Sequence, residues 1–469
     1  MLFSSLSFLL LFLPILVIAY YLSSSTKIKN LVIFLFSLFF YSWGEPVYIF
    51  LMIFSIAMNY LLAILIHRYK KMDRLVKSKF VFISSIIVNI GILVFFKYSN
   101  FIILNINSIL KTNIRYVSVL LPIGVSFYTF QIVSYIIDVY WGKVDVQENI
   151  IYLGAYIVLF PQLIAGPIVR YETIEKELSC REISVECIYS GLTRFIIGLG
   201  KKVIIANQIG LIADKILITN PHKLGMQLAW LGLVSYTLQI YFDFSGYSDM
   251  AIGLGKILGF TFLENFNYPY MSRSITEFWR RWHISLGTWF RDYLYIPLGG
   301  NRVSKLRWIL NILIVWVLTG LWHGASWNFV IWGLYYGFIL VFERLILYKI
   351  NLKIFGFLGN IYTILLVMIG WTIFKIETFK GAGRYIKALL GLYGTSSWDT
   401  FHNIAITNLL IFVPIGLIGA TPLIGRVLEH LDRNTYLSII KDIFVLLIFL
   451  ISFLFLINSS FNPFIYFRF

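Results

Sequence analysis

Residues 1–22 read MLFSSLSFLLLFLPILVIAYYL, an apolar stretch without a charged side chain. A helix of this length crosses the hydrocarbon core of a bilayer, which needs about 20 apolar residues. The stretch has neither a basic segment at its start nor a small-residue cleavage site. It is therefore expected to be a retained transmembrane helix rather than a signal peptide.

The rest of the chain extends this prediction. Of its 469 residues, 59% are hydrophobic and 13% charged, and the mean hydropathy is +0.82. This apolar content exceeds what one water-soluble core can hide, so most of the chain is expected to face lipid. Without repeats or low-complexity stretches, a single membrane domain over residues 1–469 is predicted, and short or glycine-interrupted spans are expected to be re-entrant. The predicted spans are 2–22, 30–43, 47–66, 80–96, 117–140, 149–165, 189–212, 226–242, 245–262, 308–322, 326–348, 355–375, 405–420 and 437–457.

The net charge of +17 comes from basic residues in the connectors between spans. This distribution indicates positive-inside topology rather than nucleic-acid binding. A basic cluster between the third and fourth spans predicts a cytoplasmic loop there, with the N-terminus outside. The tail 458–469 carries one arginine and is also expected outside. The cluster consists of Arg68, Lys70, Lys71, Arg74, Lys77 and Lys79.

Residues 268–307 differ from a lipid-facing span, because arginines alternate with aromatic residues. At helical spacing, Arg280, His283 and Arg291 fall on a different face from the aromatic side chains. This pattern predicts an amphipathic helix at the cytoplasmic interface. Simple membrane anchoring accounts for the pattern, and so does a site where Arg280 and Arg291 meet the phosphates of an anionic cytoplasmic donor beside His283.

His323 lies within an apolar segment, flanked by Gly320 and Gly324. An ionisable residue at membrane depth is costly unless it faces a cavity, which favours a functional role. The alternative is a histidine that joins two closely approaching helices by hydrogen bonds.

Other polar groups allow similar alternatives. Asp243 and Asp249 bracket a predicted Ser/Gly break between two spans, and Gln131 and Asp138 lie within another span. Three roles are open for each of these groups: lining a funnel, capping a broken helix, or hydrogen bonding across the helix bundle. The two cysteines, at positions 180 and 187, have no histidine or cysteine nearby, so neither a metal site nor a disulfide is expected.

Six segments together resemble the MBOAT family of membrane-bound O-acyltransferases. They are most similar to its bacterial branch, which serves alginate and peptidoglycan O-acetylation and, more distantly, D-alanyl transfer to teichoic acid. They are Leu-Pro-Ile-Gly-Val-Ser-Phe-Tyr-Thr-Phe-Gln (121–131), Pro-Gln-Leu-Ile-Ala-Gly-Pro-Ile (161–168), Tyr-Phe-Asp-Phe-Ser-Gly-Tyr-Ser-Asp-Met-Ala-Ile-Gly (241–253), Asn-Phe-Asn-Tyr-Pro-Tyr (265–270), Glu-Phe-Trp-Arg-Arg-Trp-His-Ile-Ser-Leu (277–286) and Leu-Thr-Gly-Leu-Trp-His-Gly-Ala-Ser-Trp-Asn (318–328).

The resemblance implies an all-α ring of tilted transmembrane helices around a central funnel, in the bacterial cytoplasmic membrane. It maps the family's two histidines onto His283 and His323. It also implies acetyl-CoA as the cytoplasmic acyl donor, no metal, and an extracytoplasmic SGNH-type O-acetyltransferase as the partner that modifies a polysaccharide acceptor.

Acyl transfer from a thioester to a hydroxyl requires a base, and a positioned histidine contributes about 10²- to 10⁴-fold. His323 fits this role, because burial keeps an imidazole neutral and proton-accepting. His283, on the arginine-rich segment, is expected to orient the donor or help close the site.

The tail Phe-Ile-Tyr-Phe-Arg-Phe (464–469) resembles the C-terminal motif of the small companion protein in the D-alanylation system, whose tyrosine is proposed to carry the acyl group. Tyr466 is accordingly expected either to relay acetyl groups from the funnel or to be an interfacial anchor. Its phenol, with a pKa near 10, would form an ester more reactive than an alkyl ester.

Three other functions fit parts of this pattern. A transporter or flippase would also be polytopic, but inverted repeats are not apparent in the sequence. A scaffold that only docks a secreted enzyme would not need His323. D-alanyl transfer to teichoic acid is the alternative within the family.

Overall fold

The structure is a computed structural model that describes residues 1–164, 166–346, 356–393 and 406–458. Within these ranges it contains helices and no β-strand; residues Phe266 and Trp282 form an isolated antiparallel bridge. The all-α class predicted from the sequence is confirmed. The chain packs into two compact units, residues 1–195 with 250–263 and residues 196–249 with the described residues from 264 onward. The prediction of a single domain stays a prediction.

Nine α-helices form the first part of the chain: α1 (Leu13–Leu22), α2 (Thr26–Gly44), α3 (Ile49–Lys71), α4 (Leu75–Leu110), α5 (Val125–Trp141), α6 (Ile150–Val158), α7 (Phe160–Leu163), α8 (Tyr171–Ser179) and α9 (Val185–Gly200). Eleven described α-helices follow: α10 (Asn207–Ile218), α11 (Met226–Ile257), α12 (Ile275–Arg281), α13 (Ile284–Phe290), α14 (Lys305–His323), α15 (Trp327–Leu345), α16 (Phe357–Lys375), α17 (Phe379–Leu389), α18 (Ile406–Gly419), α19 (Leu423–Asp432) and α20 (Thr435–Asn458). Three π-helical segments (Phe8–Phe12, Lys201–Ala206 and Arg291–Tyr295) and two 3₁₀ turns (Pro221–Lys223 and Pro269–Met271) complete the described elements.

Six helical segments in the described ranges are long and apolar enough to span a membrane: Ile49–Lys71, Leu75–Leu110, Val185–Ile218, Lys305–His323, Phe357–Lys375 and Tyr436–Asn458. A seventh is added if Ile411–Gly419 and Leu423–Asp432, a pair bent by 68°, form one span. The chain is thus a multi-pass membrane protein. The first predicted span is shorter than expected, since its apolar helix covers Phe8–Leu22. The ring around a funnel and the orientation of the termini stay predictions.

Buried amides link α3 and α4 in the first unit. The Asn59 Nδ2 donates to Asn89 Oδ1 at 3.0 Å, and Asn89 Nδ2 donates to Asn59 Oδ1 at 2.8 Å. Ser85, one turn before Asn89, donates to the same Asn59 oxygen. Apolar helices gain nothing from the hydrophobic effect when they leave lipid for one another, so such interhelical hydrogen bonds help to join them.

The predicted helix break near residue 245 is wrong. α11 continues through Ser245 and Gly246 without interruption. A Cβ atom on Gly246 would lie 2.8 Å from the carbonyl oxygen of Gly198, so this glycine permits close packing of two helices rather than a turn. Glycine in a sequence is compatible with either arrangement, and tertiary contacts select between them.

The two aspartates on α11 form ion pairs with the π-helical segment Lys201–Ala206. Lys202 Nζ lies 2.5 Å from Asp243 Oδ1, with both side chains almost fully buried, and Lys201 Nζ lies 2.7 Å from Asp249 Oδ2. Of the alternatives open for these aspartates, bonding across helices is the one observed. Such pairing compensates charges that would otherwise be costly to bury.

α14 and α15 pack closely as a hairpin, which places His323 at its turn. A Cβ atom on Gly320 would overlap the carbonyl oxygen of Phe329, and one on Gly333 would overlap that of Trp316. The backbones therefore approach to a distance that only glycine permits at these positions.

Candidate active site

His283 lies at a break between α12 and α13, so the single amphipathic helix predicted for this segment is wrong. α12 ends where Trp282, which bridges to Phe266, takes an extended conformation. The next residue, His283, has a φ of +45° and is 2% exposed. A non-glycine residue in this left-handed region is strained, and such strain occurs often at functional sites. The break turns His283 away from the regular helical register on which the prediction rested.

Asn265 holds this break together from the preceding connector. Its backbone carbonyl accepts the Ile284 N–H at 3.0 Å. Its side-chain oxygen lies 3.1 Å from His283 Nδ1 and accepts the backbone N–H and the hydroxyl of Ser285 at 3.2 and 2.9 Å. Its amide nitrogen donates to Ser248 Oγ at 3.1 Å. One buried amide thus connects His283 to α13 and α11.

Glu343 on α15 caps the first turn of α12. Its carboxylate accepts the backbone N–H groups of Ile275 and Thr276 at 2.6 and 2.8 Å, and the Thr276 hydroxyl at 2.6 Å. The side chain is buried, so a helix N-terminus with its partial positive charge compensates the carboxylate. Ser274 adds a second cap by accepting the Glu277 N–H at 3.0 Å. The cap fixes the helix that carries Arg280.

A cavity of about 750 Å³ opens beside these helices, within the second unit. It brings together Arg280, His283 and Arg291, and adds Arg344. The walls also include indole rings and three threonines. Among them are Trp279, Trp316 and Thr319.

The charges around this cavity are unequal. Arg291 is paired with Asp292, with Nε 2.6 Å from Oδ1, and this hydrogen bond raises the pKa of Arg291. His283 lies outside the helices that are long enough to span a membrane, and burial lowers its pKa to about 3. The cavity therefore combines permanent guanidinium charges with a neutral imidazole.

His323 ends α14 and is 2% exposed. Its ring contacts those of Trp322, Trp332 and Phe374, with centroids 5.0, 5.1 and 5.3 Å away. Trp322 also contacts His283, at 5.9 Å between centroids, so one indole touches both histidines. Thr319, one helical turn before His323, lines the cavity. The burial expected for His323 is confirmed; its catalytic role stays a prediction.

Two further predictions concern residues elsewhere. Tyr466 lies outside the described residues. Cys180 and Cys187 are exposed and not bonded to each other. Across the described ranges, no group of three His, Cys, Asp or Glu side chains is arranged to hold a metal ion.

Residues 145–379 match the MBOAT, membrane-bound O-acyltransferase family. A probable alginate O-acetylase AlgI from Azotobacter vinelandii is 38% identical over 100% of both chains. The chain belongs to the MBOAT family. The resemblance described above is thereby confirmed, and the protein is an O-acyltransferase.

Two other relatives of this MBOAT chain differ in how much they match. A peptidoglycan O-acetyltransferase from Helicobacter pylori is 32% identical over 100% of this chain and 98% of that protein. A teichoic acid D-alanyltransferase from Bacillus subtilis is 33% identical over 46% of this chain and 58% of that protein.

The sequence indicated His283 and His323 but not Asn265 and Glu343, which fix the backbone before and after α12 in this MBOAT chain. Asn265 lies in the segment Asn-Phe-Asn-Tyr-Pro-Tyr, and asparagine is too common in connectors for its presence alone to indicate a role. Glu343 had a clearer signal, since a carboxylate inside an apolar segment needs a partner. That its partner is the N-terminus of a helix more than 60 residues away depends on tertiary structure.

Glu343→Ala is predicted to lower the free energy of unfolding by about 1–3 kcal/mol, because it removes a buried charged acceptor from two backbone N–H groups. Thermal unfolding of the purified protein in detergent measures this. Glu343→Gln, which keeps one acceptor oxygen, should lose less. Ser274→Ala is the matched control, since it removes the local cap of the same helix and should cost about 0.5–2 kcal/mol. Wild-type stability in Glu343→Ala would contradict the capping role.

Proposed function

We propose that this enzyme takes acetyl groups from cytoplasmic acetyl-CoA and passes them across the bacterial cytoplasmic membrane for O-acetylation of an extracytoplasmic polysaccharide. The observation that carries the proposal is the cavity that gathers Arg280, His283 and Arg291. The full-length relatives are named for alginate and peptidoglycan O-acetylation, whereas the D-alanyltransferase aligns with 46% of the chain. These names favour acetyl over D-alanyl transfer and leave alginate-like polymers and peptidoglycan as acceptor classes.

The arginines of the cavity suit an anionic donor. Guanidinium groups bind phosphate through paired hydrogen bonds and remain charged when partly desolvated. Arg280 and Arg344 line the cavity together with Arg291, whose charge is shared with Asp292. The phosphates of the donor would bind at the arginines, with the thioester toward the indole-lined wall that includes Trp279 and Trp316.

His323 is the proposed base. It takes the proton of the acceptor hydroxyl, whose oxygen then forms a bond to the thioester carbonyl carbon. The tetrahedral intermediate collapses as the C–S bond breaks, and the departing thiolate receives the proton from His323. The support is the burial of His323, its place one turn beyond Thr319, and the indole that it shares with His283.

The acceptor hydroxyl is proposed to be that of Tyr466. With both termini outside, the tail enters the site from the extracytoplasmic side, accepts acetyl, and hands it to the serine of an SGNH-type O-acetyltransferase that modifies the polymer. A phenol is a better leaving group than an alkyl alcohol, so onward transfer is downhill.

His323→Ala is predicted to lower polymer acetylation by about 10²- to 10⁴-fold, the range contributed by a general base. Acetyl groups released from purified polymer are quantified at equal membrane abundance of the enzyme. His430→Ala is the control, because this histidine is exposed on α19 whereas His323 is buried. Wild-type acetylation in His323→Ala would refute the assignment.

Arg280→Gln is predicted to raise the acetyl-CoA concentration needed for half-maximal transfer by about tenfold or more, through loss of a charge-assisted hydrogen bond. Arg281→Gln is the matched control: it lies next in the same helix, pairs with Glu277 at 2.7 Å, and does not line the cavity. Equal effects of the two substitutions would favour simple membrane anchoring by this segment.

Tyr466→Phe is predicted to abolish polymer acetylation, since it removes only the hydroxyl and keeps the ring. Acetylation is measured together with co-purification of the partner transferase. Loss of acetylation with normal assembly supports the relay, and retained acetylation rules it out.

A further inference from the structure

The amide of Asn265 has one orientation that fits its surroundings. The side-chain oxygen faces the backbone N–H of Ser285, which can only donate, and the nitrogen faces Ser248 Oγ, which can accept. Rotating the amide by half a turn would set its NH₂ group against the Ser285 N–H, donor against donor. The hydrogen-bond partners therefore identify the oxygen.

This orientation determines the proton position on His283. An amide oxygen has no proton to give, so a hydrogen bond across the 3.1 Å between Asn265 Oδ1 and His283 Nδ1 requires a proton on Nδ1. In a neutral imidazole the second nitrogen, Nε2, then carries the lone pair. We infer that Asn265 is a positioning residue that holds His283 in the Nδ1–H tautomer, which makes Nε2 a proton acceptor in the cavity.

The inference deepens the proposed function and rests on it for the identity of the cavity as the acyl-transfer site. A neutral Nδ1–H imidazole cannot donate from Nε2. His283 therefore does not stabilise the oxyanion of the tetrahedral intermediate; its Nε2 accepts a hydrogen bond from an N–H or O–H group beside it. The sequence led us to expect that His283 orients the donor or helps to close the site. The tautomer restricts any such contact of Nε2 to accepting a hydrogen bond.

The surrounding geometry supports a fixed tautomer. Phe244 on α11 packs edge-on against the imidazole, with ring centroids 4.6 Å apart. Trp322 on α14 also contacts the imidazole, with ring centroids 5.9 Å apart. These rings leave little room for the imidazole to flip, a rotation that would replace Nδ1 by a ring carbon opposite Asn265. The titratable and charged groups on the surrounding elements are Arg280, Arg291 with Asp292, Arg344, His323, Lys202 with Asp243, and Lys201 with Asp249.

The direct test is nitrogen NMR of the full-length protein in detergent, with ¹⁵N-labelled histidine. The His283 signals are assigned by their loss in His283→Gln. The expected spectrum at neutral pH shows a protonated Nδ1 and an unprotonated Nε2. A proton on Nε2, or an imidazolium, would overturn the inference. This readout does not depend on activity, so it is distinct from a failure of the proposed function, which would appear as a wild-type enzyme that does not transfer acetyl groups.

The functional test compares two substitutions with a control. Asn265→Leu removes the acceptor and should lower the maximal transfer rate at least about tenfold, with little change in the half-saturating acetyl-CoA concentration. Asn265→Asp keeps the acceptor and covers the case in which the leucine variant fails to fold. Its carboxylate favours the imidazolium and raises the pKa of His283. Because the neutral ring is the active form, loss of activity on acidification should begin at a higher pH than in the wild type.

Asn360→Leu is the matched control, because Asn360 donates to the backbone carbonyls of Met271 and Ser272 in a neighbouring connector. It should leave the pH profile and the His283 signals at their wild-type positions. An Asn265→Asp profile identical to the wild type, with transfer intact, would overturn the role of Asn265. A shifted pH profile of transfer in Asn360→Leu would also overturn the role of Asn265, because loosening a different connector would then change the profile in the same way.

Discussion

A break in a buried helical segment leaves backbone N–H groups without their helical partners, and an unpaired buried N–H group is costly, so the protein itself must supply the acceptors. The break at His283 meets this constraint with one residue, Asn265, whose carbonyl and amide accept the N–H groups of Ile284 and Ser285. The carboxylate of Glu343 does the same at the start of α12. The end of α16 follows the same rule, because Asn328 donates to the carbonyls of Ile373 and Ile376. The segment around His283 can depart from a regular helix because buried side chains supply the hydrogen-bond partners that a continuous helix would provide.

Close helix packing provides the rigid surroundings that these side chains need. α14 and α15 approach at Gly320 and Gly333 to a distance that excludes a Cβ atom. This contact sets the position of Glu343 on one helix and of His323 on the other. The indoles of Trp316, Trp322 and Trp332 then fill the space around the turn. The hydrogen bonds to Glu343 and the close packing at Gly320 and Gly333 thus act together. Glu343 can cap α12 because the helix that carries it, α15, is held in place against α14.

The sequence predicted the residue types of the site better than its backbone. Burial of His323 followed from a single ionisable residue in an apolar segment. The gathering of Arg280 and His283 in one cavity was also expected, but for a wrong reason, since the single helix that would align them is broken at His283. Helical periodicity contains no information on a residue with positive φ whose conformation is stabilised by a partner 18 positions earlier. The continuity of α11 could not be predicted for a related reason. Gly246 permits close approach to the backbone of Gly198 and does not form a turn.

The guanidinium groups and the neutral imidazole of this cavity have different physical causes. Arg280 and Arg344 keep their charge under nearly all conditions, so they supply a fixed positive potential in the cavity. The imidazole of His283 is neutral for a different reason, because burial lowers its pKa. The cavity thus holds fixed positive charges beside an imidazole that burial keeps unprotonated. The Asn265 contact adds what burial cannot provide, because burial favours the neutral form while the amide oxygen selects which nitrogen keeps its lone pair.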